Sequence, residues 1–238
     1  MIELVGFDGD DTLWHSEGYY QHAAGAFQRI VGAYVDVADA SVRSRLHAVE
    51  RRNLALFGYG AKGMALSMIE TAIELTGGAI AARDIHRIVE LGRAILDHPV
   101  ELLDGIRAAV EDVAARHRIV LVTKGDLFHQ ERKVEQSGLA GLFHRIEIVS
   151  EKDDRSYARV LAECAVEAPA FAMVGNSLRS DIEPVIGLGG WGIHMPYHVT
   201  WEHELQHGVE SGHPRVATVD GPAGIAAALA VFDAESRG

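Results

Sequence analysis

The sequence predicts an α/β fold, in which helices cover both faces of a parallel sheet, with an inserted all-helical domain. Three observations support this prediction. A short apolar run near residue 5 indicates a buried strand, residues 15–99 show only helical spacing, and strand and helix patterns alternate from residue 100 onward. Such alternation is typical of right-handed crossovers in a parallel sheet. The predicted α/β core therefore comprises residues 1–14 and 100–238, and the helical domain comprises residues 15–99.

The first predicted strand contains Leu4, Val5 and Phe7, a continuous apolar run typical of a strand buried on both faces. Asp8 and Asp10 follow it two residues apart, so in extended backbone both side chains point the same way. Ligands of parallel sheets bind beyond the carboxyl ends of the strands, so both acids can address one small volume. Their mutual repulsion favours a bound cation or a shared proton. An acidic surface turn is the alternative interpretation of this segment.

The helical domain is predicted from apolar side chains that recur every three or four residues. The first series contains Tyr20, Ala23, Phe27, Ile30 and Tyr34. Two consecutive glycines at 77 and 78 end the third series, and a proline at 99 follows the fourth. About four helices and no strand are expected. An insertion directly after the first strand is placed to serve as a cap over an active site.

The remaining elements are expected to alternate from residue 100 to the C-terminal region. Predicted strands lie near residues 119–122, 146–149, 171–174 and 190–195, with an edge strand at 216–219. Predicted helices lie near residues 104–116, before Gly138, and at 157–166, 182–188 and 225–232. The carboxyl ends of these strands therefore meet at one edge of the sheet.

Candidate ligands follow the second, third and fourth strands of the predicted sheet. Thr123 and Lys124 end the second strand, Lys152 follows the third, and Asn176 and Asp181 follow the fourth. A hydroxyl beside backbone N–H groups suits phosphate oxygens, and hard oxygen donors suit Mg²⁺. Each of these residues taken alone could equally be a helix cap or a surface side chain. Together, four strands in order present an acid pair, a hydroxyl, a lysine and a metal-type loop at one edge.

These residues, in this order and spacing, resemble the haloacid dehalogenase superfamily, whose members are mostly phosphohydrolases. The resemblance extends over the whole chain. The segment 8–12 is similar to the first motif of the family, Thr123 to the second, Lys152 to the third, and the segment 175–181 to the fourth. The helical insertion resembles the small helical cap of the family. The resemblance implies a Rossmann-like core and a phosphatase that forms an aspartyl phosphate.

The resemblance also implies a role for each candidate residue. Asp8 would attack phosphorus, and Asp10 would act as general acid and then as general base. The implied phosphate-binding residues are Thr123, Lys124 and Lys152. The implied cofactor is Mg²⁺, and its implied oxygen ligands are Asp8, the backbone carbonyl of Asp10, Asn176 and Asp181.

Two positions in these motifs bear on the chemistry. Many relatives carry aspartate where Asn176 stands, so the site has one negative charge fewer and a weaker magnesium ligand. Relatives that act as dehalogenases lack the second acid of the first motif, whereas Asp10 is present here. The resemblance therefore favours magnesium-dependent hydrolysis of a small-molecule phosphomonoester over dehalogenation.

Other functions stay open at this point. The same fold can support phosphomutase chemistry or phosphonate cleavage, and the latter uses a cap lysine as a Schiff base. Lys62 is the only lysine of the insertion. A non-catalytic protein that binds a ligand in the cap groove is an alternative of another class.

A zinc-peptidase signature occurs at His203, Glu204 and His207, in which two histidines four residues apart could bind zinc with the glutamate as base. The extended signature is incomplete, however, because a glutamate occupies the position that requires glycine. Pro196 and Pro214 bracket the segment, which leaves little room for the long helix that such a site requires. A histidine-rich surface loop is the alternative interpretation.

Composition restricts the partners and the compartment. The 34 acidic residues outnumber the 22 basic ones, and a net charge of −12 disfavours nucleic acids and anionic membranes. Cys164 is the only cysteine, so an internal disulfide is excluded and a reducing compartment is expected. The sequence has no secretion signal and no long apolar stretch. We expect a soluble cytoplasmic protein, a monomer or homodimer, that acts on a small phosphorylated metabolite; the sequence does not specify which one.

Overall fold

The apolar run after Glu3 forms strand β1 (Leu4–Phe7), and all four of its residues are buried. The structure, a computed structural model, describes residues 1–36, 38–199, 201 and 204–235. The chain divides into two units: an α/β unit of residues 1–17, 100–124 and 130–238, and a helical unit of residues 18–99 and 125–129. The predicted domain boundaries and the role of the helical unit as a cap stay predictions.

The sheet of the α/β unit has six strands in the order β3-β2-β1-β4-β5-β6. The strands after β1 are β2 (Arg118–Lys124), β3 (Arg145–Val149), β4 (Phe171–Gly175), β5 (Trp191–His194) and β6 (Val216–Thr218). All five pairings are parallel, and Phe7 lies opposite Leu121 on one side and Val174 on the other. The predicted fold class, a parallel α/β sheet with a helical insertion, is confirmed.

Nine α-helices occur in the described residues. They are α1 (Glu17–Gly32), α2 (Asp39–Phe57), α3 (Ala61–Leu75), α4 (Ala82–Leu96), α5 (Ile106–Ala114), α6 (Leu127–Ser137), α7 (Asp154–Cys164), α8 (Glu183–Gly187) and α9 (Ile225–Glu235). As predicted, four helices and no strand lie between residues 17 and 99, apart from residue 37, which lies outside the description.

Apolar clusters cover both faces of the sheet because successive strand residues point to opposite faces. Val5 and Phe7 belong to one cluster, together with Ile106 and Val110 of α5. Leu4 belongs to the opposite cluster, which contains residues of α7 and α8. The helical unit has an apolar cluster of its own, which includes Phe27, Val31, Met68 and Ile88.

The turn before α8 differs from the predicted helix at 182–188. A single π-helical turn (Leu178–Ile182) comes first, and α8 continues directly from it. Pro184 has no N–H to donate to Ser180, the carbonyl four residues earlier. The hydroxyl of Tyr157 donates to that carbonyl instead, at 3.1 Å. The helical segment therefore begins at Leu178, four residues earlier than the sequence predicts.

No helix in the described part of the chain is both long enough and apolar enough to cross a membrane. Cys164 is a free, buried thiol on α7. Burial raises the pKa of this thiol, as expected for a structural residue.

Candidate active site

The carboxyl ends of three strands bring together Asp8, Lys152 and Asp181. The Lys152 Nζ atom lies 2.5 Å from Asp8 Oδ1 and 2.6 Å from Asp181 Oδ1. These side chains are almost wholly buried, with side-chain exposures of 2% for Lys152, 9% for Asp8 and 1% for Asp181. Residues 144 and 29 positions apart thus share one buried ionic cluster.

One ammonium group in this cluster faces two carboxylates. Burial disfavours the Lys152 ammonium, but the charges of Asp181 and Asp8 outweigh burial and raise the lysine pKa well above its ordinary value. Burial raises the pKa of Asp8 to about 7; Lys152 opposes this rise, and the charge of Asp181 adds to it. The cluster therefore carries excess negative charge, which an added cation would compensate.

Thr12 links Asp8 to Asn176. Its hydroxyl lies 3.0 Å from Asp8 Oδ2 and 3.4 Å from Asn176 Oδ1, and it accepts a hydrogen bond from the Asn176 backbone N–H at 3.1 Å. The motifs in the sequence predict no role for Thr12. Its position four residues after Asp8 is the local signal that could have identified it.

The donor set of this cluster fits a magnesium ion. The Lys152 ammonium contacts both Asp8 and Asp181, and the Thr12 hydroxyl contacts both Asp8 and Asn176. Three side chains with hard oxygen donors therefore lie close together. Among the described residues, no three His, Cys, Asp or Glu side chains form a metal-binding group. The side-chain oxygen donors of this cluster are therefore two carboxylates and the Asn176 amide.

Gly175 makes room for Asp181 at the end of β4. A Cβ atom added at Gly175 would lie 2.2 Å from Asp181 Oδ2, closer than real Cβ contacts. The same Oδ2 atom accepts a hydrogen bond from the Ser177 N–H at 2.9 Å. This turn therefore holds the Asp181 carboxylate against the backbone, with its second oxygen directed to Lys152.

Thr123 supplies an unused hydroxyl beside the first motif. It is 1% exposed, and its Oγ1 atom has no hydrogen-bond partner in the part of the chain described. The hydroxyl lies 3.1 Å from where a Cβ atom of Gly9 would stand. A buried hydroxyl without a partner costs free energy, and a phosphate oxygen is a partner that would remove this cost.

Three donors outside the sequence prediction hold the carboxylate of Asp10. Trp14 Nε1 lies 2.6 Å and Lys133 Nζ 2.7 Å from Oδ1, and Gln130 Nε2 lies 2.9 Å from Oδ2. Burial would raise the pKa of Asp10, but the charge of Lys133 and the hydrogen bonds from Lys133, Gln130 and Trp14 lower it below its ordinary value. The two motif acids thus have opposite pKa shifts.

Asp11 shapes the backbone between the first motif and α1. It has a positive φ of 62°, a conformation in which aspartate is tolerated better than most residues. Its carboxylate accepts hydrogen bonds from the Ser16 N–H at 2.8 Å and the Glu17 N–H at 3.1 Å, where α1 begins. Burial raises the pKa of Asp11 to about 7, and the charge of Asp10 adds to this rise.

Lys124, a predicted phosphate-binding residue, has an acidic partner in the structure. Its Nζ atom lies 2.5 Å from Glu204 Oε1 and 2.8 Å from Ser180 Oγ. Glu204 Oε2 accepts hydrogen bonds from Ser177 Oγ at 2.5 Å and from Ser180 Oγ at 2.6 Å. Burial would raise the pKa of Glu204, but Lys124 and the serine hydroxyls lower it to about 2. A phosphate-binding role of Lys124 stays a prediction.

The structure does not support the zinc-peptidase alternative, because the glutamate of the signature has other partners. Glu204 binds Lys124 and two serines, and the described residues 205–210 contain no helix. His203 lies outside the described residues. His207 therefore stands in irregular backbone, and not on the helix that the signature requires.

The structure links most of the predicted residues through a few hydrogen bonds. Asp8, Lys152, Asp181 and Asn176 form one network, and the Thr123 hydroxyl lies beside the same motif. The Asp10 carboxylate belongs to a second network with three other donors. Sequence reasoning missed these donors, and it also missed Thr12 and the structural role of Glu204.

The family model of haloacid dehalogenase-like hydrolases matches residues 2–189. A solved haloacid dehalogenase-like family hydrolase from Xanthomonas campestris shares 56% sequence identity, with a TM-score of 0.89, over 99% of this chain and 93% of that chain. A comparison with curated proteins found no match.

More distant solved structures share the fold alone. A 2-haloacid dehalogenase from Pseudomonas syringae is 19% identical, with a TM-score of 0.65, over 98% of this chain and 100% of that chain. A putative hydrolase of the haloacid dehalogenase type from Bacillus subtilis, solved bound to magnesium, is 15% identical, with a TM-score of 0.63, over 96% of this chain and 98% of that chain.

Proposed function

Since this chain belongs to the haloacid dehalogenase-like hydrolase family, we propose that it hydrolyses a small-molecule phosphomonoester with the help of Mg²⁺. The observation that supports phosphatase over dehalogenase chemistry is Asp10 and its hydrogen bonds. A halide ion leaves without a proton, whereas an alkoxide leaving group needs one. A second acid two residues after the nucleophile therefore serves ester cleavage.

In the first proposed step, Asp8 replaces the alcohol on phosphorus. A carboxylate oxygen of Asp8 forms a bond to phosphorus while the bond from phosphorus to the ester oxygen breaks. Asp10 must carry a proton at this stage, so the negative charge of the bound phosphate has to offset the three donors that favour the Asp10 carboxylate. Asp10 then gives this proton to the departing oxygen, so the alcohol leaves neutral. The product is an acyl phosphate on Asp8 and an ionised Asp10.

In the second step, water removes the phosphoryl group from Asp8. The ionised Asp10 takes a proton from the attacking water while the bond from phosphorus to Asp8 breaks. This returns Asp8 as a carboxylate and Asp10 as an acid, and inorganic phosphate leaves. Splitting the hydrolysis replaces one slow displacement by two easier ones.

The other buried groups would stabilise the transferring phosphoryl group. Lys152 supplies a buried positive charge next to Asp8, and the Thr123 hydroxyl lacks a partner that a phosphate oxygen would provide. The side chains of Asp8, Asn176 and Asp181, with the Asp10 carbonyl, would hold Mg²⁺, which supplies positive charge opposite the phosphate oxygens.

A screen of phosphorylated metabolites tests the proposal. We expect the native chain to release inorganic phosphate from at least one phosphomonoester when magnesium is present. Asp8→Asn should abolish release because the amide cannot act as the nucleophile, and EDTA should abolish it reversibly. Release of halide from 2-haloacids without any phosphate release would contradict the proposal and favour dehalogenation.

The alternatives predict other results from the same preparation. Phosphonate cleavage would release aldehyde from phosphonoacetaldehyde and would need Lys62, whose Nζ atom is paired with Asp126 at 2.9 Å. A mutase would interconvert sugar phosphates without net phosphate release. A non-catalytic binding protein would bind the same ligand in the native chain and in Asp8→Asn, with no turnover in either.

A further inference from the structure

This inference rests on the proposed function and concerns three residues to which neither the sequence motifs nor the comparisons give a role. We infer that Trp14, Gln130 and Lys133 are positioning residues that fix the Asp10 carboxyl group for proton transfer. Together they occupy both of its oxygens, with Trp14 and Lys133 on Oδ1 and Gln130 on Oδ2. The three donor distances lie between 2.6 and 2.9 Å.

Lys133 is difficult to explain as a packing residue. It is 8% exposed, and its ammonium has Asp10 Oδ1 at 2.7 Å and Ser16 Oγ at 3.4 Å as partners. Burying an ammonium costs several kcal/mol unless a partner compensates, and an apolar side chain of similar volume would often be as stable. A buried lysine aimed at a motif acid therefore indicates a requirement of function.

Gln130 also donates to Asp10, although one of its own polar atoms stays unpaired. Its amide N–H₂ group donates to Asp10 Oδ2 and to the Lys124 carbonyl, both at 2.9 Å. Its own oxygen is buried and has no partner in the described part of the chain. An unpaired buried acceptor destabilises the fold, so packing alone would favour methionine or leucine at this position.

A regular helix presents two of these donors. Gln130 and Lys133 are three residues apart on α6 and therefore lie on one helical face. Trp14 is 1% exposed and packed in the core of the α/β unit. Donors on both oxygens, two from α6 and one from the core, leave the Asp10 carboxyl little rotational freedom. Proton transfer to a leaving oxygen depends on such alignment.

Leaving-group dependence tests this inference. We compare the alkyl phosphomonoester identified in the metabolite screen with p-nitrophenyl phosphate, whose leaving group departs without a proton. In Lys133→Met and Gln130→Met, we expect kcat/KM to fall about tenfold or more for the alkyl ester and less than about threefold for the aryl ester, because only the alkyl ester depends on acid catalysis. Gln136→Met, an exposed position of the same helix, is the matched control and should change neither value.

A double-mutant cycle with Asp10→Asn separates positioning from general damage. If Lys133 and Gln130 act through Asp10, adding either substitution to Asp10→Asn should cause no further loss with the alkyl ester. Lys133→Arg, which keeps a donor and the charge, should recover part of the alkyl activity. If thermal unfolding shows that Lys133→Met does not fold, the Gln130→Met comparison decides alone.

Two results would overturn the inference by different routes. Equal losses for both esters, or further losses in the Asp10→Asn background, would overturn the positioning role while leaving the phosphatase proposal intact. If the native chain releases phosphate from neither of the two esters and from no metabolite of the screen, the proposed function is overturned. The positioning role is then overturned with it.

Discussion

The two units of this protein bury polar side chains in different ways. In the α/β unit, Lys152 joins two carboxylates that come from separate strand ends, one of them 144 residues away. In the helical unit, Asn53 donates to Ser67 at 3.2 Å and to Glu70 at 2.7 Å, which joins two consecutive helices. Buried charges of the α/β unit meet through the topology of the sheet, whereas buried polar groups of the helical unit connect neighbouring helices.

This difference indicates that the α/β unit carries the candidate active-site chemistry, whereas the polar contacts of the helical unit serve its own structure. The buried cluster of the α/β unit has two carboxylates, Asp8 and Asp181, for the one ammonium of Lys152. The Thr123 hydroxyl beside it has no partner among the described residues. Such an arrangement costs stability and suits a charged ligand. The ion pairs of the helical unit, such as Arg52 with Glu70, lie at the surface and are worth little individually. Substitutions of these buried groups should therefore affect activity in the first unit, whereas substitutions in the interior of the second should affect mainly stability.

Removal of Lys152 gives the largest effect and tests this contrast directly. Lys152→Met leaves two buried carboxylates without their counter-charge, so we expect a loss of about 3–5 kcal/mol in the free energy of unfolding. Activity should fall by roughly a thousandfold or more, because the charge beside Asp8 is removed. Urea unfolding and phosphate release measure the two effects.

The matched control is the lysine of the helical unit. Lys62 is half exposed, and its ion pair with Asp126 is near the surface. Lys62→Met should change the free energy of unfolding by less than about 1 kcal/mol. Equal destabilisation by both substitutions would contradict the contrast between the units.

A methyl group at Gly175 should damage both the fold and the site. In Gly175→Ala, the new Cβ would overlap Asp181 Oδ2, and we expect a loss of about 2–3 kcal/mol together with displacement of the carboxylate. A shift of this kind should lower phosphate release by roughly a hundredfold. Gly187→Ala, in which the new Cβ atom would lie 4.0 Å from Asp154 Oδ1, is the control and should be neutral. Native-like activity in Gly175→Ala would show that Asp181 does not act at its present position.

Glu204 should make the stability of the α/β unit depend on pH. Its folded pKa of about 2 lies below the ordinary value of 4.5, so its contribution is fully present above about pH 4.5 and is lost as the pH falls toward 2. We expect Glu204→Gln to cost up to about 3 kcal/mol near neutral pH and progressively less below pH 4.5. Urea unfolding of both chains at several pH values measures this difference. A difference that stays constant with pH would contradict the ionic role of Glu204.

Close packing in the helical unit gives the smallest predicted effect. A Cβ atom at Gly92 would lie 2.8 Å from the Cβ atom of Ala65, so Gly92→Ala should cost about 1–2 kcal/mol without lowering activity per folded molecule. Gly25→Ala, in the interior of α1 where a Cβ atom would lie 3.8 Å from Arg29 Nη1 without a clash, should instead stabilise by roughly 0.5–1 kcal/mol. Thermal unfolding measures both changes. A large loss of kcat in Gly92→Ala would show that the interior of the helical unit takes part in catalysis.

The sequence was sufficient for the fold and for one ionic network of the site. Apolar runs such as Leu4–Phe7 are local signals of buried strands, and parallel topology then brings the residues after each strand to one edge. Asp8, Lys152 and Asp181 could be grouped on that basis, and the structure places them within hydrogen-bonding distance.

The residues that contact the site from outside the strand ends could not be predicted from a comparable pattern in the sequence. Gln130 and Lys133 lie on a helix whose sequence shows only ordinary amphipathic spacing, and they contact Asp10 from 120 and 123 positions away. Glu204 occurs in a segment whose histidines suggested a different chemistry, and its partner Lys124 was assigned to phosphate binding. Such contacts depend on the tertiary packing of loops and helices, which local periodicity does not encode.

The position of β1 in the middle of the sheet affects how the protein is made. Its neighbours are β2 and β4, so it has no complete set of strand partners until the ribosome has synthesised residue 175. At ordinary translation speeds this delay is roughly 10–30 s, during which an apolar segment has unpaired edges. Protection of the nascent chain by a chaperone during this interval should therefore raise the yield of active protein, and truncated products that end before β4 should aggregate.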